Sequence, residues 1–430
     1  MNYKDFFKDK RISVIGLGSY GEMIPDIRFL ARIKAKVSVY DIRSEKRLSQ
    51  FMEELREIEL ENRVFGKIIE DNILQSDLII LSLDISKKSL FLKKAIEAGI
   101  QTEYPDILFF KLVQPITFVG IMGAYGKSSV THLVYSMLKK AFVDYEDQGL
   151  FLIDSGIGSG ALTHLKRIKK GDIAVVKIPE NLISQYHTIH ISPHVAIMTS
   201  VIPFDILEFQ THNNFIVASD DVVDSMKAEF EAKAKILRTR SSVVPEEWKM
   251  QRNISHDREN ASLALQTSTL FKVSRDIARE VIEGFSGLKG NIEMVKKVNG
   301  IEFYNDSGSI TPQATLKALQ FLSLGRNIIL IMGGAYTGHD YGELIKNLPQ
   351  YVSTIILISG SGTIGIREEI EKQLVDRIIH AISIENAVIE AKDCCGPGDI
   401  VLFSPAFEAV GVDISRKERG ERFIRAVRGL

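Results

Sequence analysis

Short apolar runs recur along this chain, and each is followed by a longer amphipathic stretch. This alternation is typical of βα units built around parallel sheets. The continuous Val, Ile and Leu content of the runs indicates sheets that are covered on both faces. We predict strands at residues 12–17, 37–40, 78–83, 116–122, 173–178, 195–200, 328–332, 354–359 and 400–404. Helical periodicity is clearest at 44–60, 128–141, 258–271 and 276–285.

The length of 430 residues predicts more than one domain, because single hydrophobic cores stop growing well below that size. We place one boundary before a second glycine-rich motif and another where a glycine-bounded stretch follows the helices. The fold class is therefore α/β with three domains. These are a Rossmann-like N-terminal domain at 1–108, a P-loop central domain at 109–287 and a Rossmann-like C-terminal domain at 288–430.

The charge balance and the cysteine content of the chain limit the kinds of molecule that it is expected to bind. With 54 Lys and Arg against 55 Asp and Glu, the formal net charge is -1, which offers no electrostatic footprint for nucleic acid or anionic lipid. The adjacent Cys394 and Cys395 match neither a disulfide framework nor a metal spacing, so we expect a reducing cytoplasm. No signal-peptide core and no bilayer-length apolar run is visible. We expect a small-molecule or protein partner, no nucleic acid and no membrane insertion.

The first glycine-rich motif, GLGSYG, follows the first predicted strand and contains Gly16, Gly18 and Gly21. Asp41 lies at the end of the next strand, where a ribose-binding carboxylate is found in dinucleotide-binding domains. Alone, the motif would favour an NAD-dependent oxidoreductase, and a glycine turn that only packs strand against helix is the other interpretation. The oxidoreductase is disfavoured because it leaves the second motif without a use.

The second motif, GIMGAYGKSS at 120–129, joins a strand to a helix. Successive backbone amides can wrap phosphates, the lysine can neutralise terminal phosphate charge, and the serine hydroxyl can bind Mg²⁺. Ile121 replaces the first glycine of the usual phosphate loop. An enzyme that couples ATP to modification of a nucleotide-linked substrate needs both motifs. The predicted ATP-binding residues here are Gly123, Ala124, Tyr125, Gly126, Lys127, Ser128 and Ser129.

At this point the chain resembles the Mur ligases, most closely the type that adds D-glutamate to UDP-N-acetylmuramoyl-L-alanine. The loop GAYGKSS is similar to that family's shortened phosphate loop, and further similar segments follow in the family's order. They are SHDRENA (255–261), NGIEFYNDSGSITPQAT (299–315), IMGGAYTGHD (331–340), GDIVLFSPAF (398–407) and ERGERF (418–423).

The resemblance implies an ATP-dependent amide ligase of peptidoglycan precursor synthesis that works through an acyl phosphate. It implies ATP and Mg²⁺ as cofactors and a UDP-sugar-peptide precursor and an amino acid as partners, in a protein that is commonly a monomer. Its implied substrate-binding residues are Gly18, Ser19, Tyr20, Asp41, Arg43, Ser307 and Ser404. Asp257, Asn260, Asn305 and Asp306 would join the loop around ATP. Catalytic roles fall on Lys127, Glu180 and Asp306, and metal binding on Ser128 and Glu180.

Several positions depart from the family pattern. Lys177 stands where the family has a Mg²⁺-binding glutamate, and Glu180 is the nearest substitute. The segment after Asp205 is shortened, and no lysine lies between Lys177 and Lys227 to replace the family's carbamylated lysine. Ala409 and Asp413 replace residues that face the amino acid. The alternative is therefore a catalytically impaired homologue that binds nucleotide or regulates a partner, and the sequence leaves activity and the added amino acid open.

Overall fold

The computed structural model describes most of the chain. The ranges covered are 2–18, 21–68, 70–85, 89–123, 126–142, 149–154, 160–251, 255–323, 325, 327–335, 339–373, 378–407 and 416–430.

The first sheet has five parallel strands in the order β3-β2-β1-β4-β5, which is the strand order of a Rossmann-like domain. Its strands are β1 Arg11–Ile15, β2 Lys36–Asp41, β3 Asn62–Phe65, β4 Leu78–Leu81 and β5 Gln101–Glu103. The helices that accompany them are α1 Tyr3–Phe7, α2 Ile24–Arg32, α3 Ser49–Arg56, α4 Glu70–Ile73, α5 Leu90–Glu97 and α6 Pro105–Leu112.

The second sheet has six parallel strands in the order β11-β10-β9-β6-β8-β7. These are β6 Thr117–Met122, β7 Leu150–Ile153, β8 Ile173–Lys177, β9 Val195–Met198, β10 Phe215–Ser219 and β11 Lys235–Thr239. The helices are α7 Lys127–Ala141, α8 Ile183–Thr188, α9 Asp220–Glu229, α10 Ser255–Leu270 and α11 Arg275–Glu283. β6 is central and fully buried after its first residue, so the turn that follows it lies at the middle of the sheet edge.

The third sheet has six strands in the order β12-β13-β17-β14-β15-β16 and is mixed, because β12 pairs antiparallel with β13. Its strands are β12 Glu293–Val298, β13 Ile301–Asn305, β14 Ile328–Met332, β15 Val352–Ile358, β16 Ile378–Ala381 and β17 Ile400–Phe403. The helices are α12 Pro312–Leu322, α13 Gly342–Tyr351, α14 Ser361–Gln373, α15 Ile384–Cys394 and α16 Arg416–Arg428.

The predicted α/β fold class is confirmed, and each strand predicted from an apolar run is a strand. Eight strands were not predicted, most of them because their apolar runs are short or their residues are partly exposed: β3, β5, β7, β10, β11, β12, β13 and β16. By compactness the chain forms two units, Met1–Trp248 with Ser255–Ile282 and Lys249–Ile254 with Glu283–Leu430. The domain boundaries at 108 and 287 stay predictions. Across the described ranges, none of the helices is long and apolar enough to cross a bilayer.

Candidate functional site

The turn after β6 is shaped by two glycines with positive φ. Gly123 has φ of 138° and lies so close to the end of β9 that a Cβ there would be 2.9 Å from the Ser200 nitrogen. Gly126 has φ of 77° and is the N-cap of α7, and a Cβ on it would overlap the side-chain oxygen of Asn260. Such conformations favour glycine, and the absence of side chains lets the backbone approach a ligand closely. The glycines at the two described ends of the turn therefore leave room for a ligand, as a phosphate-binding turn requires.

Lys127 and Ser128 form the first turn of α7, where unpaired helix amides and the helix dipole favour an anion. The Lys127 ammonium donates to the Gly123 carbonyl, so this side chain lies across the turn. Three of the predicted ATP-binding residues, Gly123, Gly126 and Lys127, are thus brought together with Ser128 and Ser129. Their role in binding ATP remains a prediction.

Two further predicted ATP-binding residues, Asp257 and Asn260, lie three positions apart on α10 and so share a face. Both are buried, and α10 packs against α7. The overlap between Asn260 and a Cβ at Gly126 places this amide directly beside the phosphate turn. The structure therefore gathers on one side of the turn residues that are more than 130 positions apart in the sequence.

The ends of β7 and β8 carry an ion pair that the sequence did not reveal. The Lys177 ammonium lies 2.6 Å from a carboxylate oxygen of Asp154 and 3.4 Å from the hydroxyl oxygen of Ser128. Parallel pairing explains the first contact, because Ile153 is opposite Val176 and the next residues along the two strands are Asp154 and Lys177. An aspartate directly after an apolar run was the available sequence signal for Asp154.

The predicted Mg²⁺ ligands Ser128 and Glu180 lie in different surroundings. Glu180 is exposed in a 3-10 helix, and Ser128 has an ammonium rather than a carboxylate as its neighbour across the sheet edge. Among the described residues, no group of three or more His, Cys, Asp or Glu side chains could hold a metal ion. Asp205 and His212 are both exposed. Mg²⁺ is usually held by one or two carboxylates together with waters and substrate phosphates, so the binding of Mg²⁺ by Ser128 and Glu180 stays a prediction.

In the first sheet, Asp41 lies at the end of β2 and its carboxylate accepts the Leu17 amide at 3.0 Å. Arg43 forms a bidentate pair with the same carboxylate, at 2.9 and 2.6 Å, and donates to the Gly18 carbonyl at 3.0 Å. Burial by itself would raise the pKa of Asp41, but the hydrogen bonds from Arg43 and Leu17 outweigh it and lower the pKa. Gly18, Asp41 and Arg43, all predicted to bind substrate, are therefore joined in one network.

A cavity of about 270 Å³ opens beside Gly18. Asp26 and Asp106 line it, and both are buried. Asp26 accepts the Leu162 amide at 2.8 Å, at the start of the 3-10 helix Ala161–Lys166. Burial, with a contribution from the Asp106 charge, raises the pKa of Asp26 to about 8, so this carboxyl is largely protonated at neutral pH.

The third sheet brings together four more predicted residues where β13 and β17 end side by side. The Ser404 hydroxyl donates to Asp306 at 2.7 Å, and the Asn305 side chain accepts the Ser307 amide at 3.2 Å. Burial raises the pKa of Asp306 to about 7, against the lowering effect of hydrogen bonds from Ser309, Ser404 and the Ile292 amide. The group is a buried polar cluster at the carboxyl edge of a parallel pair, a common place for ligands.

Arg419, in the ERGERF segment, is the residue that positions this cluster and was not among the predicted site residues. It is buried, and its guanidinium donates to the Ser307 and Phe407 carbonyls at 3.0 Å each. Gly290 also contacts the segment that follows the cluster, since its carbonyl accepts a hydrogen bond from the Gly308 amide at 2.7 Å. An arginine in a helix of many charges gives no local signal that it will be buried.

Some predicted positions lie outside the described residues. They are the substrate-binding Ser19 and Tyr20, the ATP-binding Ala124 and Tyr125, and the altered positions Ala409 and Asp413.

Comparison with known families adds two matches. The family model for the MurD-like N-terminal domain of Mur ligases matches residues 10–103, and the model for the Mur ligase glutamate ligase domain matches residues 292–407. These segments contain all the strands of the first sheet and all the strands of the third sheet. Both models belong to one family and match in its order along the chain.

Relatives match over almost their whole length. The UDP-N-acetylmuramoylalanine--D-glutamate ligase of Caldanaerobacter subterraneus is 28% identical, with 98% of this chain and 99% of that protein covered. The ligase of the same name from Bdellovibrio bacteriovorus is 28% identical, with 99% of each covered.

Solved structures show the same architecture. The UDP-N-acetylmuramate-alanine ligase of Thermotoga maritima has a TM-score of 0.56 at 14% identity, with 98% of this chain and 99% of that chain covered. A murein peptide ligase from Psychrobacter arcticus has a TM-score of 0.51 at 12% identity, with the same coverage. At these identities the likeness concerns the fold.

Proposed function

This chain belongs to the Mur ligase family, and on that premise we propose that it is an ATP-dependent amide ligase that joins D-glutamate to UDP-N-acetylmuramoyl-L-alanine. The observation that carries the proposal is the phosphate turn at Gly123–Ser129, in a chain that aligns end to end with ligases of that name. The substrates would be a UDP-sugar-peptide precursor and an amino acid, in peptidoglycan precursor synthesis. The cytoplasmic location and monomeric state expected from the sequence form part of this proposal.

In the proposed reaction, a carboxylate oxygen of the precursor bonds to the γ-phosphorus of ATP, and ADP leaves. The amino acid's nitrogen then bonds to the activated carbonyl carbon, inorganic phosphate leaves, and the nitrogen loses a proton. Two anions about 4 Å apart repel by about 4 kcal/mol at an effective dielectric of 20. Lys127 and the first amides of α7 supply the positive charge that offsets this repulsion.

The remaining clusters have proposed roles that follow from their chemistry. We assign Asp41 and Arg43 to binding of the uridine nucleotide. The reason is that a guanidinium group and backbone amides at the end of β2 can donate hydrogen bonds to ribose and phosphate oxygens. We assign Asp306 and Ser404 to the phosphates and the incoming amino acid. ATP is proposed as cosubstrate, whereas Mg²⁺ fits the described residues around Ser128 poorly, so no step is assigned to it.

The experiment is a phosphate-release assay with purified protein, ATP, UDP-N-acetylmuramoyl-L-alanine and D-glutamate. We expect release that requires both substrates, together with a dipeptide product detected by mass spectrometry. Lys127→Met is expected to remove this release, and the matched exposed lysine variant Lys139→Met in the last turn of α7 is expected to keep it. ATP binding without any product, in protein shown to be folded, would instead support the nucleotide-binding homologue.

A further inference from the structure

The ammonium of Lys177 lies beside the hydroxyl that would bind a metal ion on the phosphate turn. In phosphate loops the hydroxyl that follows the lysine is a Mg²⁺ ligand. Here that hydroxyl belongs to Ser128, and its oxygen is 3.4 Å from the Lys177 nitrogen. A Mg²⁺ ion at about 2.1 Å from this oxygen would therefore lie no more than about 5.5 Å from the ammonium. The two cations would repel each other at that distance.

Lys177 is also held in this place by other residues. Its ammonium is paired at 2.6 Å with Asp154, whose side chain is 6% exposed, and the Lys177 side chain itself is 16% exposed. The parallel register of β7, β8 and β6 puts the ends of all three strands side by side, so the pair lies at the same sheet edge as the phosphate turn. Because the Lys177 ammonium already offsets the charge of the buried Asp154 carboxylate, this carboxylate attracts a second cation less strongly.

We propose that Lys177, positioned by Asp154, replaces Mg²⁺ as the cation of the phosphate turn, so that this protein binds ATP without a protein-bound metal ion. The inference rests on the nucleotide-binding part of the proposed function and not on ligase activity. An ammonium supplies three donors and one positive charge to phosphate oxygens. Together with Lys127, it gives the turn two cations from the chain itself.

The test measures the dissociation constant for ATP by titration calorimetry, once with millimolar Mg²⁺ and once with excess EDTA, at matched ionic strength. For the unaltered protein we expect the two constants to agree within about threefold. Lys177→Met removes the cation that pairs with Asp154, so we expect its ATP affinity in EDTA to fall by about tenfold to a hundredfold, as for loss of a hydrogen bond to a charged group. In the same variant Mg²⁺ is expected to restore much of the affinity.

Two companion variants separate this role from a purely structural one. Lys177→Arg keeps the positive charge, so its affinity in EDTA is expected to stay close to that of the unaltered protein even if Lys177→Met folds poorly. Lys235→Met removes an exposed lysine from β11, at the far edge of the same sheet, and is expected to change neither constant. A stability-only role for Lys177 would not alter the ratio of the EDTA and Mg²⁺ constants.

The outcomes are distinct. Tight binding with Mg²⁺ and at least about tenfold weaker binding in EDTA by the unaltered protein would overturn the inference and leave the proposed ligase function standing. Equal Mg²⁺ dependence in the unaltered protein and in Lys177→Met would also overturn it. Absence of ATP binding under both conditions would overturn the proposed function itself, and the inference with it.

Discussion

Replacing Asp26 by asparagine is expected to remove a pH-dependent loss of stability. In the folded protein burial raises the pKa of this carboxyl from 3.8 to about 8. Below about pH 4 the carboxyl is protonated in both the folded and the unfolded chain, so its titration does not change the free energy of unfolding. As the pH rises toward 8 the unfolded chain loses the proton first, and the free energy of unfolding therefore falls.

The size of this loss of stability follows from the difference between the pKa of Asp26 in the unfolded and in the folded chain. Each pKa unit corresponds to about 1.4 kcal/mol, so between pH 5 and pH 8 the carboxyl lowers the free energy of unfolding by at most about 4 kcal/mol. Asparagine keeps a side-chain oxygen that can accept the Leu162 amide but carries no titrating proton. Asp26→Asn is thus expected to be the more stable protein at pH 8, with a smaller difference at pH 5.

The assay is urea unfolding followed by fluorescence of the single tryptophan, Trp248, which is buried and belongs to the same compact unit as Asp26. Asp71→Asn, at an exposed aspartate of α4, is the matched control and is expected to follow the unaltered protein. Asp106→Asn removes a charge that raises the pKa of Asp26, so it is expected to reduce the pH dependence in part. Parallel stability curves for Asp26→Asn and the unaltered protein from pH 5 to 8 would refute the reasoning.

Three other changes test the candidate site. Gly126→Ala puts a Cβ at φ of 77° against the Asn260 amide, and we expect ATP affinity by calorimetry to fall at least about tenfold; unchanged affinity would contradict the close approach. Arg419→Met removes the donor to two buried carbonyls, so we expect the unit that contains the third sheet to be destabilised by about 2–4 kcal/mol, as measured by hydrogen exchange. The control Arg367→Met, at an exposed arginine, is expected to leave the stability of this unit unchanged. Ser404→Ala removes a 2.7 Å hydrogen bond that lowers the pKa of Asp306, so this pKa, followed by NMR, is expected to rise above about 7; a fall would oppose the assignment.

Much of the fold could be predicted from the sequence for a local reason. A short run of Val, Ile and Leu bounded by turn residues favours a strand covered on both faces, so β1, β6, β8, β9 and β14 were predicted from their residues alone. The phosphate turn was predictable too, because glycines followed by Lys127 and Ser128 between a strand and a helix have few other uses. In contrast, β12 is partly exposed and carries a register shift, and its antiparallel pairing with the mostly buried β13 has no distinct local pattern.

Only the tertiary structure determines the contacts that depend on strand register and helix packing. The sequence determined that Lys177 ends a buried strand, but its pairing with Asp154 and its approach to Ser128 arise because three parallel strands end side by side. Asn260 reaches the phosphate turn because α10 packs on α7, and Arg419 reaches the Ser307 carbonyl from a helix more than a hundred residues away. Local composition sets which segments are buried, whereas the charges that face one another are set by how those segments pair.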